Sequence, residues 1–339
     1  MAADVVFLIR GKKGGCKVGK VVYSIVVPLY NEEEVIAETY KRLKAVAETF
    51  DAPYEIIMIN DGSRDRTVPM AHALCEADKT MKLIDFSRNF GHQIAVTAGM
   101  DYASGDAIIV IDADLQDPPE VIPEMISKWK QGYDVVYGVR KKRQGETFFK
   151  KLTAAAFYRF LKKMTNVDIP VDTGDFRLID RKVCEALKRV NEKNRFIRGI
   201  ISWLGFKQIG VEFVRDKRFA GETKYPLKKM LRLAANGITS FSDKPLKLAS
   251  GAGAAIMMLS ILYALVMMTL KIAAFPDIPT WHFLFSAVFF LNGVTLLILG
   301  IYGEYIGRIY DEAKGRPLYL IGGLTNFDDE QISYTRNIK

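Results

Sequence analysis

The 339-residue sequence predicts an α/β domain built on a mostly parallel sheet, followed by two long apolar helices. Two observations predict this fold class. Short β-branched runs alternate with helical periodicity from residue 21 onward, which is typical of strand–helix–strand units. Residues 248–270 and 281–303 each lack Asp, Glu, Lys and Arg, and each exceeds the roughly 20 residues that a membrane-spanning helix needs. Buried core helices are the alternative for these two runs.

The N-terminal part contains candidate strands separated by candidate helices. Strands are predicted at 21–27, 55–59, 82–86, 107–111 and 134–137. Helices are predicted over 36–50 and 67–77, then up to about 103, and again from about 119. Units of this length imply parallel pairing through right-handed crossovers, with helices on both faces of the sheet. Ligands of such sheets bind beyond the carboxyl ends of the strands.

The fourth strand delivers two carboxylates to that edge. Asp112 and Asp114 follow the apolar run 107–111 directly. Side chains two residues apart on an extended chain point the same way, so both carboxylates can reach one cation. Hard oxygen ligands with open positions suit Mg²⁺ or Mn²⁺, with substrate phosphate oxygens completing the coordination. The alternative is an acidic loop that caps the helix beginning near Pro119.

Polar segments also follow the first three strands. Residues 28–32 read PLYNE, residues 60–63 read NDGS, and residues 87–93 read SRNFGHQ. We expect all of them at the same sheet edge as the aspartates. Ordinary turn chemistry is the alternative, above all for residues 60–63. The histidines have no metal-ligand spacing, so we assign none of them to the metal: His72, His92 and His282.

The net charge of +9 points to the membrane surface and not to nucleic acid. Basic residues concentrate at 140–163 and 215–232, close to the apolar runs, and no nucleic-acid-binding motif accompanies them. Residues 1–20 lack the apolar core of a signal peptide. Their glycine-rich end resembles a phosphate-binding loop, but Val21 replaces the required Ser or Thr. We therefore interpret residues 1–20 as a flexible extension.

Two basic segments are also rich in aromatic and aliphatic residues. Residues 148–163 and 226–245 mix both kinds of side chain, which is typical of helices that lie in the membrane interface. A solvated basic face on a core helix is the alternative. The resulting domain layout is 21–225 for the α/β domain, 226–245 for an interfacial helix, 246–305 for two membrane spans and 306–339 for a C-terminal tail.

Flanking charge predicts the orientation of the two spans. The connecting loop carries only Lys271, whereas basic residues flank the pair on the other side. These are Lys244, Lys247, Arg308, Lys314 and Arg316. Because positive loops face the cytoplasm, we expect a multi-pass protein of the inner (plasma) membrane whose α/β domain and C-terminus are cytoplasmic.

Together, these motifs resemble those of family 2 inverting glycosyltransferases with the GT-A (Rossmann-like) fold. More closely, the chain is similar to polyprenyl-phosphate glycosyltransferases of the bactoprenol glucosyltransferase type, relatives of dolichol-phosphate mannose synthase. The resemblance runs from about residue 22 to 320 and includes GDFR at 174–177, RFAGETK at 218–224 and GEYIGR at 303–308. Each motif alone is weak evidence for this family, but the occurrence of all of them in this order along the chain is specific to it.

The resemblance implies transfer of one sugar from a nucleotide sugar to undecaprenyl (polyprenyl) phosphate, with inversion. UDP-glucose is the expected donor, and GDP-mannose, UDP-GlcNAc or UDP-aminoarabinose are alternatives. A non-catalytic membrane scaffold that keeps the fold is a hypothesis of a different class. The resemblance also implies membrane lipid as a partner and a homo-oligomer, for which similar proteins suggest a tetramer.

The resemblance assigns roles to individual residues. The implied donor-binding residues are Pro28, Tyr30, Glu32, Asp61, Asp112, Ala113, Asp114, Gln116, Arg218 and Lys224. Within this set, Asp112 and Asp114 would hold the metal, and Asp61 would contact the base.

The resemblance also implies residues for the acceptor. Arg140 would bind phosphate at the reaction centre, with Arg143 as a second lipid-phosphate contact. Asp175 would act as a base or an electrostatic partner. A salt bridge from Asp175 to Arg177 or Arg181 is the structural alternative.

Overall fold

A computed structural model describes residues 20–141, 173–215, 262 and 280–328. The strands are β1 (Tyr23–Leu29), β2 (Tyr54–Asn60), β3 (Met81–Phe86), β4 (Ala107–Val110), β5 (Val135–Arg140), β6 (Thr173–Asp180), β7 (Gln208–Phe213) and β8 (Ile321–Thr325). The helices are α1 (Ile36–Ala47), α2 (Thr67–Ala77), α3 (His92–Tyr102), α4 (Ile122–Lys130), α5 (Arg181–Lys188), α6 (Ile197–Leu204) and α7 (Thr280–Ala313), with a 3₁₀ turn at Pro119–Val121.

The strands form one eight-stranded mixed sheet in the order β7-β5-β6-β4-β1-β2-β3-β8. Strands β4, β1, β2 and β3 pair in parallel, as the strand–helix alternation predicted. Their side chains alternate between two buried layers. One layer packs against α1, α2 and α4, and the other against α3, α5 and α6. The predicted mostly parallel sheet, covered on both faces, is therefore confirmed.

Strand β6 lies antiparallel between β4 and β5, a placement that the sequence pattern did not predict. The register pairs Val110 with Arg177, and extending it by two residues sets Asp112 opposite Asp175. Because β6 runs against its neighbours, it starts at the edge where β4 and β5 end. Strand β7 then pairs in parallel with β5 and ends at the same edge.

The C-terminal segment returns to the sheet as its last strand. Strand β8 pairs antiparallel with β3, and the N–H of Ser87 donates to the carbonyl of Leu320 at 3.0 Å. Tyr319 is only 1% exposed. Its ring stacks on Phe86 at 5.3 Å between centroids, and its hydroxyl donates to Asp101 at 2.9 Å. The expected boundary between spans and tail at residue 306 falls inside α7. Because β8 pairs with β3, the described residues that follow α7 add a strand to the sheet of the α/β domain.

The segments that we expected at the membrane lie mostly outside the part of the chain that the structure describes. Residues 1–19, 148–163 and 226–245 lie outside the described residues, as does the first expected span apart from Leu262. The second expected span falls within α7, whose last turns carry Glu304, Arg308, Asp311 and Glu312. Among the helices that the structure describes, none combines the length and apolar character needed to cross a bilayer, so the two expected spans are not supported.

Removing the Tyr319 hydroxyl should weaken the docking of β8. We expect Tyr319→Phe to lower the free energy of unfolding by about 1–2 kcal/mol, because it takes a hydrogen-bond donor from the half-buried carboxylate of Asp101. Tyr319→Ala also removes the stacked ring and should cost about 3–5 kcal/mol. Urea unfolding followed by fluorescence measures both. Tyr310→Phe, on the exposed side of α7, is the control and should stay within about 0.5 kcal/mol of wild type.

Candidate active site

The candidate site lies at the edge of the sheet where β1, β2, β4, β5 and β7 end and β6 begins. Several buried or half-buried acids meet basic side chains there. The acids are Asp112, Asp114, Asp117 and Asp175, and the basic residues are His92, Arg140, Arg177, Arg198 and Arg215. Parallel strands bring these sequence-distant residues together because their carboxyl ends share an edge.

Asp112 lies just after β4, and one of its carboxylate oxygens is buried without a hydrogen bond from the described residues. This oxygen is Oδ1. Burial raises the pKa of Asp112 to about 6, with repulsion from Asp175 and Asp114 adding to the rise and His92 opposing it. A buried oxygen without a partner is costly, and a cation would relieve that cost.

The loop after Asp112 is shaped by backbone contacts. The carbonyl of Ala113 accepts a hydrogen bond from the Thr39 hydroxyl at 2.7 Å. Asp114 accepts from the backbone N–H of Gln116 at 3.1 Å, and Leu115 between them adopts φ of 55°. This left-handed conformation is uncommon for a leucine and marks a loop whose shape is imposed by its surroundings.

The two carboxylates fit a divalent cation whose remaining ligands come from a substrate. Across the residues that the structure describes, no group of three or more His, Cys, Asp or Glu side chains could hold a metal alone. Asp112 and Asp114 nevertheless supply hard oxygen ligands, and the buried Oδ1 of Asp112 accepts no hydrogen bond within the described residues. Such an incomplete ligand set is typical of Mg²⁺ sites that bind through substrate phosphates.

Asp175 is the most heavily hydrogen-bonded carboxylate of the site. Its Oδ1 accepts from Arg198 Nε at 2.9 Å, and its Oδ2 lies 3.1 Å from both Gln93 Nε2 and His92 Nε2. Although burial opposes it, the charges of Arg198 and His92 hold the pKa of Asp175 well below its usual range. The arginine that pairs with Asp175 is thus Arg198, and not the sequence neighbours Arg177 or Arg181 that we expected.

His92 is a site residue that the sequence analysis set aside. It is the first residue of α3, and its Nε2 lies 3.1 Å from Asp175 and 3.5 Å from Asp112. Burial lowers its pKa, but Asp112 and Asp175 outweigh that effect and raise it to about 9. At neutral pH the ring is therefore a cation between two acids. The sequence did contain one signal that His92 belongs to the site, because His92 lies in the polar segment 87–93, directly after a strand.

Asp117 joins Arg140 to Arg215. Arg140 ends β5, and its Nη2 lies 3.3 Å from Asp117 Oδ2. Arg215 follows β7, and its Nε lies 3.3 Å from Asp117 Oδ1. Asp117 and Arg215 had been given no role, although Asp117 stood inside the acidic motif. Arg140 lies at the site as expected, while Arg143, Arg218 and Lys224 lie outside the described residues.

A cleft of about 350 Å³ opens between the ends of β2 and β3, at the same edge of the sheet. Its lining includes Tyr30, Asn60, Arg64, Ser87 and Arg88. A partly polar cleft of this size suits a nucleobase and a ribose.

The remaining expected donor residues take up different positions around the cleft. Asp61 is buried, and its carboxylate accepts from the backbone N–H groups of Phe90 and Gly91, so it holds the loop after β3 in place. Burial raises the pKa of Asp61. Pro28 is buried within β1, and Glu32 is half-buried with its N–H bonded to the Thr67 hydroxyl. Of the expected base contacts, Tyr30 is the one whose side chain is exposed at the cleft.

The chain is similar to known proteins of one enzyme family. The family model "Glycosyl transferase family 2" matches residues 24–188. An uncharacterized glycosyltransferase of Bacillus subtilis, YkcC, is 62% identical over 299 residues, which is 88% of this chain and 93% of that protein. The chain belongs to glycosyl transferase family 2. The resemblance inferred from the motifs is thereby confirmed, and this family 2 protein is a glycosyltransferase.

A second relative and a solved structure are also similar to this chain. The prophage bactoprenol glucosyl transferase homolog of Escherichia coli is 42% identical over 298 residues, or 88% of this chain and 97% of that protein. A crystal structure of glucosyl-3-phosphoglycerate synthase from Mycobacterium tuberculosis with uridine diphosphate aligns at a TM-score of 0.45 and 18% identity. That alignment covers 67% of this chain and 84% of the other.

The charge on His92 should be visible in the pH dependence of stability. Its pKa is raised from an ordinary value of about 6.5 to about 9, so its stabilising effect is full below pH 6.5 and is lost as the pH rises through 9. In metal-free protein, we expect the stability difference between wild type and His92→Asn to shrink from pH 6.5 to about 9 and then level off. Chemical denaturation in EDTA across this range measures it. His72→Asn, at an exposed position on α2, is the control, and a constant difference for His92→Asn would contradict the prediction.

Proposed function

We propose that this glycosyltransferase moves one sugar from a nucleotide sugar, with UDP-glucose as the donor, to undecaprenyl (polyprenyl) phosphate with inversion. The observation that supports this most strongly is the pairing of two subsites at one sheet edge. Asp112 and Asp114 lie at the same sheet edge as the cleft between β2 and β3, and the arginines that contact Asp117 lie at that edge as well. Relatives named bactoprenol glucosyl transferase, 42–43% identical over 88% of this chain, support the same acceptor and sugar.

The donor would bind with its base and ribose in the cleft and its diphosphate toward Asp112 and Asp114. Tyr30 offers a ring face at the cleft, and Asp61 keeps the loop after β3 in the shape that closes it. Asp112 and Asp114 would hold a Mg²⁺ or Mn²⁺ ion, which neutralises charge on the departing nucleoside diphosphate. Gln116 and the backbone at Ala113 belong to the same loop and would contact the diphosphate or the sugar.

The acceptor would bring its own nucleophile. A phosphate monoester has a second pKa of about 6, so one of its oxygens is already ionised at neutral pH. That oxygen attacks the anomeric carbon from the face opposite the nucleoside diphosphate, which then leaves. Arg140 would hold the phosphate by charge-assisted hydrogen bonds.

Asp175 would then act as an electrostatic partner and not as a base. Arg198 and His92 keep its pKa well below the usual range, so it takes up a proton poorly at neutral pH. Its role would be to hold those two cations in position beside the reacting groups.

Several expectations outside the described residues are part of the same proposal. Arg218 and Lys224 would close over the donor diphosphate, and Arg143 would assist Arg140. The exposed apolar side chains of α7, among them Leu284, Val288 and Ile306, support contact with membrane lipid. We propose attachment to the cytoplasmic face of the inner membrane through the apolar runs at 248–270 and 281–303. A homo-oligomer, with a tetramer as the expected form, stays a prediction, as does the absence of nucleic-acid binding.

The direct test is transfer of radiolabelled sugar from a panel of UDP- and GDP-sugars to undecaprenyl phosphate in detergent. We expect label in the lipid phase from UDP-glucose in the presence of Mg²⁺ or Mn²⁺, and none in EDTA. Label from GDP-mannose, UDP-GlcNAc or UDP-aminoarabinose would keep the mechanism and change the donor. Folded protein that binds nucleotide but transfers no sugar would favour the scaffold hypothesis.

Removing one of the two metal carboxylates should abolish turnover without unfolding the chain. We expect Asp114→Asn to lower kcat by about 10²-fold or more, since loss of one group that stabilises developing charge typically costs 10²–10³. Circular dichroism should stay unchanged, because the amide keeps the size of the carboxylate. Asp106→Asn, at the opposite end of β4 and paired with Lys20, is the matched control and should retain wild-type turnover.

A further inference from the structure

Asp85 is an acid that lines the cleft between β2 and β3, and the sequence motifs gave it no role. Its side chain is half-buried, and its Oδ1 accepts a hydrogen bond from Asn60 Nδ2 at 2.6 Å. Asp85 makes no other hydrogen bond to the described part of the chain. The residue paired with it on β8 is Gly323, which has no side chain to cover the carboxylate. The second oxygen of Asp85 is therefore available to a ligand in the cleft.

Asn60 fixes which oxygen of Asp85 faces the protein. Asn60 is buried, and its Oδ1 accepts a hydrogen bond from the backbone N–H of Ser63 at 3.1 Å. Because this contact uses the carbonyl oxygen of the amide, the NH₂ group lies on the other side and donates to Asp85. One oxygen of Asp85 is thereby committed to Asn60, and the other can accept a hydrogen bond from a bound molecule.

The neighbouring acid Asp61 is less suited to contact a nucleobase, although the family resemblance implied that role. Its two oxygens already accept from backbone N–H groups, Oδ1 from Phe90 at 2.6 Å and Oδ2 from Gly91 at 3.0 Å. Asp61 is also buried and is not among the residues that line the cleft. Asp85 can accept a hydrogen bond from a ligand without giving up an existing one.

The walls of the cleft are held together by contacts between the loops after β2 and β3. Asn89 Nδ2 donates to the carbonyl of Asp61 at 3.0 Å. A Cβ at Gly62 would lie 2.5 Å from the backbone nitrogen of Asn89, so the two loops touch at this point. A site that is already formed loses less free energy on binding. Asp85 therefore presents its carboxylate in a preformed cleft.

We propose that Asp85 selects the nucleobase of the donor by accepting a hydrogen bond from a ring N–H group. This inference rests on the proposed function and deepens it. An ionised carboxylate is only an acceptor, so it pairs with the N–H at N3 of uracil or at N1 of guanine. Cytosine presents a lone pair at N3, which the carboxylate repels. The cleft would therefore bind a uridine or guanosine diphosphate and reject cytidine diphosphate.

Calorimetry of nucleotide binding to the full-length protein, with Mn²⁺, tests this inference without the need for turnover. In Asp85→Asn, the amide oxygen keeps the contact with Asn60, and the NH₂ group faces the cleft. We expect the Kd for UDP to rise by about 10-fold or more, as for loss of a hydrogen bond to a charged group. Any affinity for GDP should fall in the same way, whereas CDP should lose no affinity because the NH₂ group can donate to N3 of cytosine.

A modified nucleotide tests the same contact on the wild-type protein, and this measurement stands if Asp85→Asn fails to fold. In 3-methyl-UDP a methyl group replaces the ring N–H. Wild type should bind it about 10-fold or more weakly than UDP, and Asp85→Asn should show a smaller difference between the two ligands.

Two other variants separate selection of the base from support of the loop. Glu76→Gln removes an exposed acid on α2 and should leave every Kd unchanged. Asp61→Asn should weaken UDP and CDP alike, because it loosens the loop after β3. Equal affinity of wild type for UDP and 3-methyl-UDP, or equal losses of UDP and CDP in Asp85→Asn, would overturn the inference. A wild-type protein that binds no nucleotide would instead overturn the proposed function.

Discussion

Compensation of buried negative charge is the constraint on which this site depends. Asp112, Asp117 and Asp175 are brought to one sheet edge. Desolvation opposes the ionisation of Asp112 and Asp175 there, and repulsion from neighbouring acids adds to this effect at Asp112. The fold places cations from separate elements beside these acids: His92 from α3, Arg198 from α6, Arg140 from β5 and Arg215 after β7. Asp112 is the acid whose compensation is incomplete, and that deficit is what makes it suited to a metal and a diphosphate.

The antiparallel insertion of β6 makes this compensation possible. A parallel strand at that place would carry its first residues to the opposite edge. Running backwards, β6 instead starts beside the end of β4 and sets Asp175 across from Asp112. Strand β8 acts similarly at the far side of the sheet, where Tyr319 and Leu320 directly before it contact Phe86 and Ser87 and support the loop beside the cleft. Both strands place distant chain segments where the local pattern gives no signal.

The surroundings of Asp175 and Asp112 suit the two acids to different roles. Asp175 is held ionised by Arg198 and His92, whereas burial pushes Asp112 toward the neutral form unless a cation joins it. An acceptor that arrives already ionised needs little from a protein base. In the proposed reaction, the chemistry would then depend on bringing two anionic substrates together.

Much of the framework could be predicted from the sequence because it depends on local periodicity. The apolar runs at 107–111 and 55–59 predicted buried parallel strands, and the two-residue spacing predicted that Asp112 and Asp114 share a direction. The family followed from the order of short motifs, each tied to the end of a strand. These features are encoded within a few residues of chain.

What only the tertiary structure decided is which charges meet. The sequence suggested Arg177 or Arg181 as partners of Asp175 because they are near in the chain, yet the ion pair is with Arg198. His92 was set aside for lack of ligand spacing, and Asp117 received no role, because their partners lie on other elements. Sequence by itself determined the strands, helices and acidic motif. The tertiary structure decided the pairings, since Coulomb interactions depend on distance in space and not on separation along the chain.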